Sequence, residues 1–341
     1  MPTRRVIISD VHLSAAAAVA PPSGQPYAWC RPDHVERLAA FLRSPMMTGA
    51  DKLIIAGDFI DAWICPIDVR PPLLEDVIAA PHNAPVMDAI RSFAELPGRE
   101  TIYVPGNHDM AMTADIAKLI HPRVVFGSHY DEAPLRVRHG HEESLFNAPD
   151  PTGRTEPLGY WMSRFSATGI NRGRGQVSAD FWTILQSGPE LAAALAVHAL
   201  TDAVFDVTLS ATGLTVADRC TTPWGSTIGV GELRATFANL MQDWSASRPS
   251  SALTAVLCEW NPYNAIPVGK QHLHVVGHSH QRLMSTHPSY GAYFNTGTWC
   301  SAADAATFVV VEDAEGGMTG QVFDWDGASA TSQSDAIFVA R

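Results

Sequence analysis

Through the first 140 residues, short apolar runs alternate with helical spacings. Val6, Ile7 and Ile8 run apolar into Ser9, Asp10, Val11 and His12, which predicts a buried strand ending in polar side chains. Residues 33–44 place Val35, Leu38, Phe41 and Leu42 on one helical face, with Asp33 as a suitable N-cap. A second strand is predicted over 51–58, and 85–96 repeats the helical spacing with Val86, Ile90 and Phe93. A third strand follows over 100–109, then a helix over 113–120 and strands near 123–127 and 134–141. This β-α-β-α order implies a largely parallel sheet with helices packed on it.

The texture changes between about 142 and 250, where strand patterns vanish. Helical spacing dominates in 157–165, 177–187, 189–207 and 230–244. Strands resume over 272–280, 291–299, 305–313 and 320–325. The whole chain, 1–341, therefore reads as one domain, with 142–250 a mostly helical insertion above the same core.

Composition narrows the function classes. Charged residues are 17% and hydrophobic ones 46%, the balance of a globular chain with a large core. A net charge of −12 disfavours a general nucleic-acid binder. Cys30, Cys65, Cys220, Cys258 and Cys300 form no CxxC pair, so reduced thiols and a cytoplasmic location are expected, peripheral to a membrane if the substrate is lipid-linked. No signal-peptide pattern and no apolar run of membrane-spanning length is read from the sequence.

Chemistry concentrates at the ends of the predicted strands. The clusters are Asp10-Val-His12, Gly57-Asp58, Gly106-Asn107-His108-Asp109, His139-Gly-His141 and Gly277-His278-Ser-His280. Parallel strands share a C-terminal edge, where ligand sites form. Residues i and i+2 of a strand face the same way, so Asp10 and His12 suit one metal ion. Glycines before Asp58, Asn107 and His278 allow sharp exits from the strands.

The order D-x-H, G-D, G-N-H-D, H-G-H, G-H-x-H resembles the calcineurin-like metallophosphoesterase superfamily, over residues 10 to 280. Within it, "GDFIDAW" and "RHGH" look most like bacterial UDP-2,3-diacylglucosamine hydrolase and its relatives. That hydrolase typically carries Arg in place of His108 and an acid in place of His141, and a shorter helical insertion.

The resemblance implies an α/β/β/α sandwich of two mixed sheets with the helical insertion over its mouth. It implies that Asp10, His12 and His280 hold a first divalent ion, that Asn107, His139 and His278 hold a second, and that Asp58 bridges them. Such a pair clamps the attacking and leaving oxygens of an in-line displacement and lowers the pKa of bound water. Nitrogen and oxygen donors without thiolate suit Mn²⁺, Fe or Zn²⁺. His108 is expected near the phosphate, as transition-state stabiliser or proton donor, with Asp109 holding its ring.

Other residues carry competing readings. His141 competes with His139 as ligand, and the resemblance favours His139. Asp61 reads as an N-cap for the segment from Ala62 or as a support for the ligands, the cap being favoured. Asn295 reads as a turn-former. Arg164, Arg172 and Arg174 form either a phosphate grip or a solvated loop. Leu158, Trp161, Met162 and Phe165 form either an acyl groove or helix core, the latter being commoner.

The expected activity is hydrolysis of a phosphodiester or pyrophosphate in a small, nucleotide- or lipid-linked phosphate compound. The rivals are a phosphomonoesterase, a protein phosphatase among them, and a binding scaffold without catalysis.

Overall fold

The computed structural model describes residues 2–21, 23–24, 27, 29, 31–144, 146–150, 155–174, 197–247, 266, 272–300 and 306–341. Its core is a pair of facing mixed sheets. The eight-stranded sheet runs Ala330–Ser332, Gly317–Trp325, Ala306–Ala314, Arg4–Ile8, Lys52–Ala56, Glu100–Val104, Val124–Phe126, with Ile337–Ala340 also paired to Gly317–Trp325. From Arg4–Ile8 to Val124–Phe126 the pairing is parallel; from Arg4–Ile8 towards the C-terminal strands it is antiparallel. The five-stranded sheet runs Arg282–His287, Gly291–Thr296, His272–Val276, Leu135–Val137, Tyr130–Glu132, parallel across its three middle strands.

Period-2 patterning explains why both faces of the larger sheet are dry. Val309, Ile7, Ile54 and Ile102 stand in register across it and pack inward on Leu135, Val137, Leu273 and Val275. The alternate residues Val6, Ile8, Leu53 and Ile55 face outward under Leu38, Phe41, Val86, Ile90 and Phe93. Those helical residues belong to Pro32–Leu42 and Ala84–Glu95. Each such side chain removed from water contributes about 1.5–3 kcal/mol. The described residues thus form one helical layer and two sheets of the expected sandwich.

Local differences from the sequence reading have physical causes. Helix Pro32–Leu42 is capped at Arg31, not Asp33. Pro32 takes the first helical position, where a missing N–H costs nothing, so Asp33 falls into the first turn. Thr113 caps Ala114–Ile120, its side chain accepting from the Ile116 N–H. Tyr130–Glu132 is an added edge strand with little apolar content.

The insertion is not wholly helical. Helices Leu158–Asn171, Val197–Thr212 and Val230–Ser247 surround a hairpin of Arg219–Thr221 and Thr227–Gly229. The expected helix at 177–187 and the start of that at 189–207 lie outside the described residues. Leu158, Trp161, Met162 and Phe165 are buried with Val204, Phe205, Leu233 and Phe237, together with Trp63 and Ile67 from the core. The apolar stripe is therefore lobe core, not an open acyl groove.

Arg164 is a correction to the expected phosphate grip. It is fully buried on the same helix face. Its guanidinium donates to the carbonyls of Cys65 (3.4 Å), Pro66 (2.7 Å), Ile67 (3.2 Å), Val69 (2.5 Å) and Thr221. A fork with every donor committed has none for substrate. Arg164 instead laces the lobe to the segment that carries Trp63. Replacing it with alanine strands several buried carbonyls, each costing about 1–3 kcal/mol. Urea unfolding of Arg164→Ala is expected to show a loss of at least about 3 kcal/mol, and an unchanged midpoint would contradict the lacing role. Arg172 is exposed and paired with Asp218 at 3.1 Å, and the exposed Arg174 lies over Gly213.

Candidate metal centre

Five strand ends converge on one point. Asp10 and His12 follow Arg4–Ile8, Asp58 follows Lys52–Ala56, and Asn107 follows Glu100–Val104, three parallel neighbours in the larger sheet. His139 follows Leu135–Val137, and His278 and His280 follow His272–Val276, parallel neighbours in the smaller sheet. Backbone hydrogen bonds tie the loops together. Asp10 N–H donates to Gly57 O (3.1 Å), Val11 and His12 N–H to Asp58 O (both 2.9 Å), and Gly277 N–H to His139 O (2.9 Å).

The side chains meet as the backbones do. His280 Nε2 lies 3.2 Å from Asp10 Oδ1 and 3.1 Å from His12 Nε2. Asp58 Oδ2 lies 3.2 Å from His139 Nε2 and 3.9 Å from His12 Nε2. Asn107 Oδ1 lies 3.2 Å from His139 Nε2 and 3.0 Å from His278 Nδ1. Asp10, His12 and Asp58 form one group with donor atoms within 4.8 Å of each other; Asp58, His139 and His278 form another. Asp58 belongs to both.

The backbone is strained at these residues. Among the described residues, the non-glycine positions with positive φ are Asp10 (52°), His12 (53°), Asp58 (50°), His278 (71°) and His280 (56°). All five are in the convergent set. Left-handed backbone at such residues costs on the order of 1–3 kcal/mol each and persists where function demands it. Gly57 also has positive φ (89°). Gly106 and Gly277 do not, so their role differs from the expected sharp exits. A Cβ at Gly106 would collide with Asp58, and one at Gly277 with Ser9 and Asp10. They are glycine because the Asp58 and Asp10 carboxylates pass against their backbone.

Electrostatics mark the same point. Burial disfavours a charged His139, but the Asp58 carboxylate outweighs it and lifts His139 to about 10. Burial opposes the Asp58 charge too, yet His139, His108 and His12 hold it well below the carboxylate range. The pocket thus demands positive charge among acids and imidazoles. A divalent ion meets that demand with neutral imidazoles and ionised carboxylates, releasing protons as it binds. His12 Nε2 and His280 Nε2 face each other at 3.1 Å, a spacing that an N–H···N hydrogen bond shares with two nitrogen donors to one cation. The donor set fits two divalent ions sharing Asp58.

His108 stands beside this set, 6% exposed. Its ring stacks on Trp63 at 4.3 Å and meets His12 edge-on at 4.6 Å. Its Nδ1 is 2.8 Å from Asp61 Oδ2. Burial lowers its pKa, but the Asp61 and Asp58 charges prevail and leave it raised.

Asp61, not Asp109, is therefore the carboxylate that faces the His108 ring. Asp109 accepts from Phe59 N–H (3.0 Å), Ile60 N–H (3.3 Å), Gly106 N–H (2.5 Å) and Tyr103 O–H (2.5 Å). It shapes the loops that carry Asp58 and Asn107. Burial and then the Asp58 charge push it up to about 6.

No helix begins at Ala62, so Asp61 is not the helix cap that the sequence favoured; it closes a turn and supports the neighbouring histidines. Its Oδ1 accepts from Trp63 N–H (2.8 Å) and Ile64 N–H (3.1 Å), while Oδ2 lies 2.8 Å from His12 Nδ1. His141 sits in a short turn beyond His139, ring centroids 5.4 Å apart, and burial pushes it down to about 4. His139 lies against Asp58 and Asn107; no bond of His141 to either occurs among the described residues. Asn295 holds the Gly277 carbonyl (2.6 Å) and Ser279 Oγ (3.0 Å), fixing the loop of His278 and His280.

Sequence reading overlooked Trp29, Trp63, Asn147 and Cys300. Trp29 lies 4.8 Å from both the His12 and His280 rings. Asn147 Oδ1 accepts from Asn107 Nδ2 at 3.4 Å, turning Asn107 Oδ1 towards the histidines. None has a spacing signature. Only "GDFIDAW" held a usable signal, placing Asp61 and Trp63 beside Asp58.

The calcineurin-like phosphoesterase family matches residues 3–177, just over half of the chain. Among solved structures, the chain is similar to Vacuolar Protein Sorting 29 from Cryptosporidium parvum, at 9% identity and TM-score 0.35, covering 100% of both chains. It is similar to a dimetal phosphatase from Danio rerio, at 12% identity and TM-score 0.40, covering 100% of this chain and 99% of that one. It is also similar to a conserved uncharacterized protein from Streptococcus pneumoniae bearing the description predicted phosphoesterase, at 10% identity and TM-score 0.31, covering 98% and 99%. No described helix is long and apolar enough to cross a membrane. On the family match, this chain belongs to the calcineurin-like phosphoesterases.

Proposed function

We propose that the protein hydrolyses a phosphodiester or pyrophosphate bond in a small, nucleotide-linked phosphate compound, using two divalent cations. Asp10, His12, Asp58 and His280 would hold the first, and Asp58, Asn107, His139 and His278 the second. The observation that carries this reading is the confinement of left-handed non-glycine backbone, among the described residues, to five of these seven. When bound, the cations supply charge neutralisation for phosphate oxygens and a water acidic enough to react near neutrality.

The chain's own residues do the rest. Asp58 ties the two positions through one carboxylate. Asn107 adds a neutral donor, so the centre keeps net positive charge for an anionic substrate. His108 presents Nε2 to the phosphate, its Nδ1 side being taken by Asp61. Trp29 offers a partly buried ring beside the first position, a suitable face for a planar base. The resemblance to UDP-2,3-diacylglucosamine hydrolase supports a nucleotide-linked pyrophosphate; the enclosed lobe stripe lends the acyl-chain variant no groove.

The test is turnover of bis-p-nitrophenyl phosphate against the mono ester, after chelator treatment and after adding back Mn²⁺, Zn²⁺ or Fe²⁺. Stripped protein is expected to be inactive and reloaded protein to favour the diester. Full activity after complete metal removal would end the two-cation reading. A preference for the mono ester would select the phosphomonoesterase alternative.

A further inference from the structure

Asn147 lies outside the set just assigned, yet its carboxamide touches a member of it. We propose that Asn147 is a positioning residue for the second cation. It holds the Asn107 amide with its oxygen towards the ion, and the close approach of Gly159 holds Asn147 in turn, so the docked lobe sets how tightly that cation binds. This rests on the two-cation reading above. Asn107 presents Oδ1 to His139 Nε2 (3.2 Å) and His278 Nδ1 (3.0 Å), and its Nδ2 donates to Asn147 Oδ1 at 3.4 Å. A carboxamide can turn end for end at little steric cost, because its oxygen and its NH₂ group are nearly alike in size. Turned, Asn107 would aim N–H donors at a cation. An acceptor fixed on the far side selects the productive orientation, as partners behind metal ligands do.

Asn147 is placed from both sides. On the core side, the buried Ser144 donates its N–H to the His141 carbonyl at 2.9 Å, just beyond His139. Asn147 N–H donates to Ser144 Oγ at 3.0 Å, and Ala148 N–H to Ser144 O at 3.1 Å. On the lobe side, Phe146 is buried in the lobe core with Trp161 and Phe165, and its carbonyl accepts Gly159 N–H at 2.8 Å.

Gly159 is the second residue of helix Leu158–Asn171, and its φ is not positive. Conformation therefore does not require glycine there; room does. A Cβ at 159 would overlap Asn147 Oδ1. The obstructing atom is the end of a side chain, so a methyl group would push aside the carboxamide and leave the backbone where it is.

The test titrates the metal-stripped full chain with Mn²⁺ and reads it by electron paramagnetic resonance, where two ions sharing a carboxylate are spin-coupled and a lone ion is not. Wild type is expected to end as a coupled pair. Asn147→Ala should bind the first ion as wild type does and the second about 10–100-fold more weakly, the loss typical when a partner behind a ligand is removed. Gly159→Ala should do the same although alanine favours the helix, and it keeps Asn147 itself, so the assignment does not hang on folding of Asn147→Ala. Asn147→Asp keeps an acceptor oxygen in the same shape and should give the coupled pair at wild-type Mn²⁺ concentrations. Unchanged affinity for the second ion in either alanine variant, equal weakening of both ions, or a loss in Asn147→Asp as large as in Asn147→Ala would overturn the positioning role and leave the two-cation reading intact. Failure of wild type to bind a second Mn²⁺ would overturn both.

Discussion

Replacing Asp58 with asparagine is expected to empty both cation positions together and to lower turnover by at least roughly 10³-fold, the upper end of the loss seen when one electrostatic stabiliser is removed. Asp58 Oδ2 lies between the two groups, 3.2 Å from His139 and 3.9 Å from His12, while Oδ1 accepts the His108 N–H at 2.8 Å. Asparagine has the same shape and can still accept that N–H, so the loops keep their form. It lacks the second anionic oxygen that a bridge needs. Asn107→Ala, by contrast, removes a donor from one group only. Metal analysis should find near zero ions per chain in Asp58→Asn and near one in Asn107→Ala. Two ions retained in Asp58→Asn would show that the shared carboxylate is not a bridge.

The convergence of these side chains was largely readable in the chain. Each of Asp10, Asp58, Asn107 and His278 comes at the end of a short apolar run, three of them behind a glycine. A strand end in a parallel sheet has one place to put such a residue, and that place is common to its neighbours. What was not readable depends on contacts without a spacing rule. Asp109 and Asp61 both sit near His108 in the chain, and adjacency favoured Asp109. Asp109 instead turns inward, where four donors close on its carboxylate. Asp61 reaches His12 and His108 because Ile60–Asp61 pairs with Leu13–Ser14 in a short parallel bridge, a register set by three dimensions.

Arg164 shows the converse error. Its neighbours Arg172 and Arg174 made a basic, polar cluster that suggested an open loop. Yet Arg164 lies three residues after Trp161 and four after Tyr160, within the helical stripe that becomes lobe core. A cation on an apolar face is buried with its partners or not at all. Here the partners are carbonyls of a loop about a hundred residues away in the chain. Cys300 was invisible for a similar reason, since a lone cysteine far from the other clusters carries no pattern until the turn over Asp10 brings it to His280.

His108→Ala should separate chemistry from metal binding. Turnover is expected to fall by roughly 10²–10⁴-fold, the range for a lost proton donor, while the protein keeps both ions. In the proposed reading the ring touches His12 without being a ligand itself. It stacks on Trp63, abuts His12 edge-on, and directs Nδ1 to Asp61. With that side taken, Nε2 is the nitrogen that meets a leaving oxygen or a phosphate oxygen. The loss should depend on the leaving group. An alkoxide needs a proton as the bond to phosphorus breaks, whereas p-nitrophenolate leaves well without one. An alkyl or nucleoside ester should therefore suffer far more from His108→Ala than a p-nitrophenyl ester does. Equal losses on both would mean that His108 stabilises charge and does not deliver a proton. A loss of metal in proportion to the loss of rate would mean that it holds the centre together, and the role given to it here would be wrong.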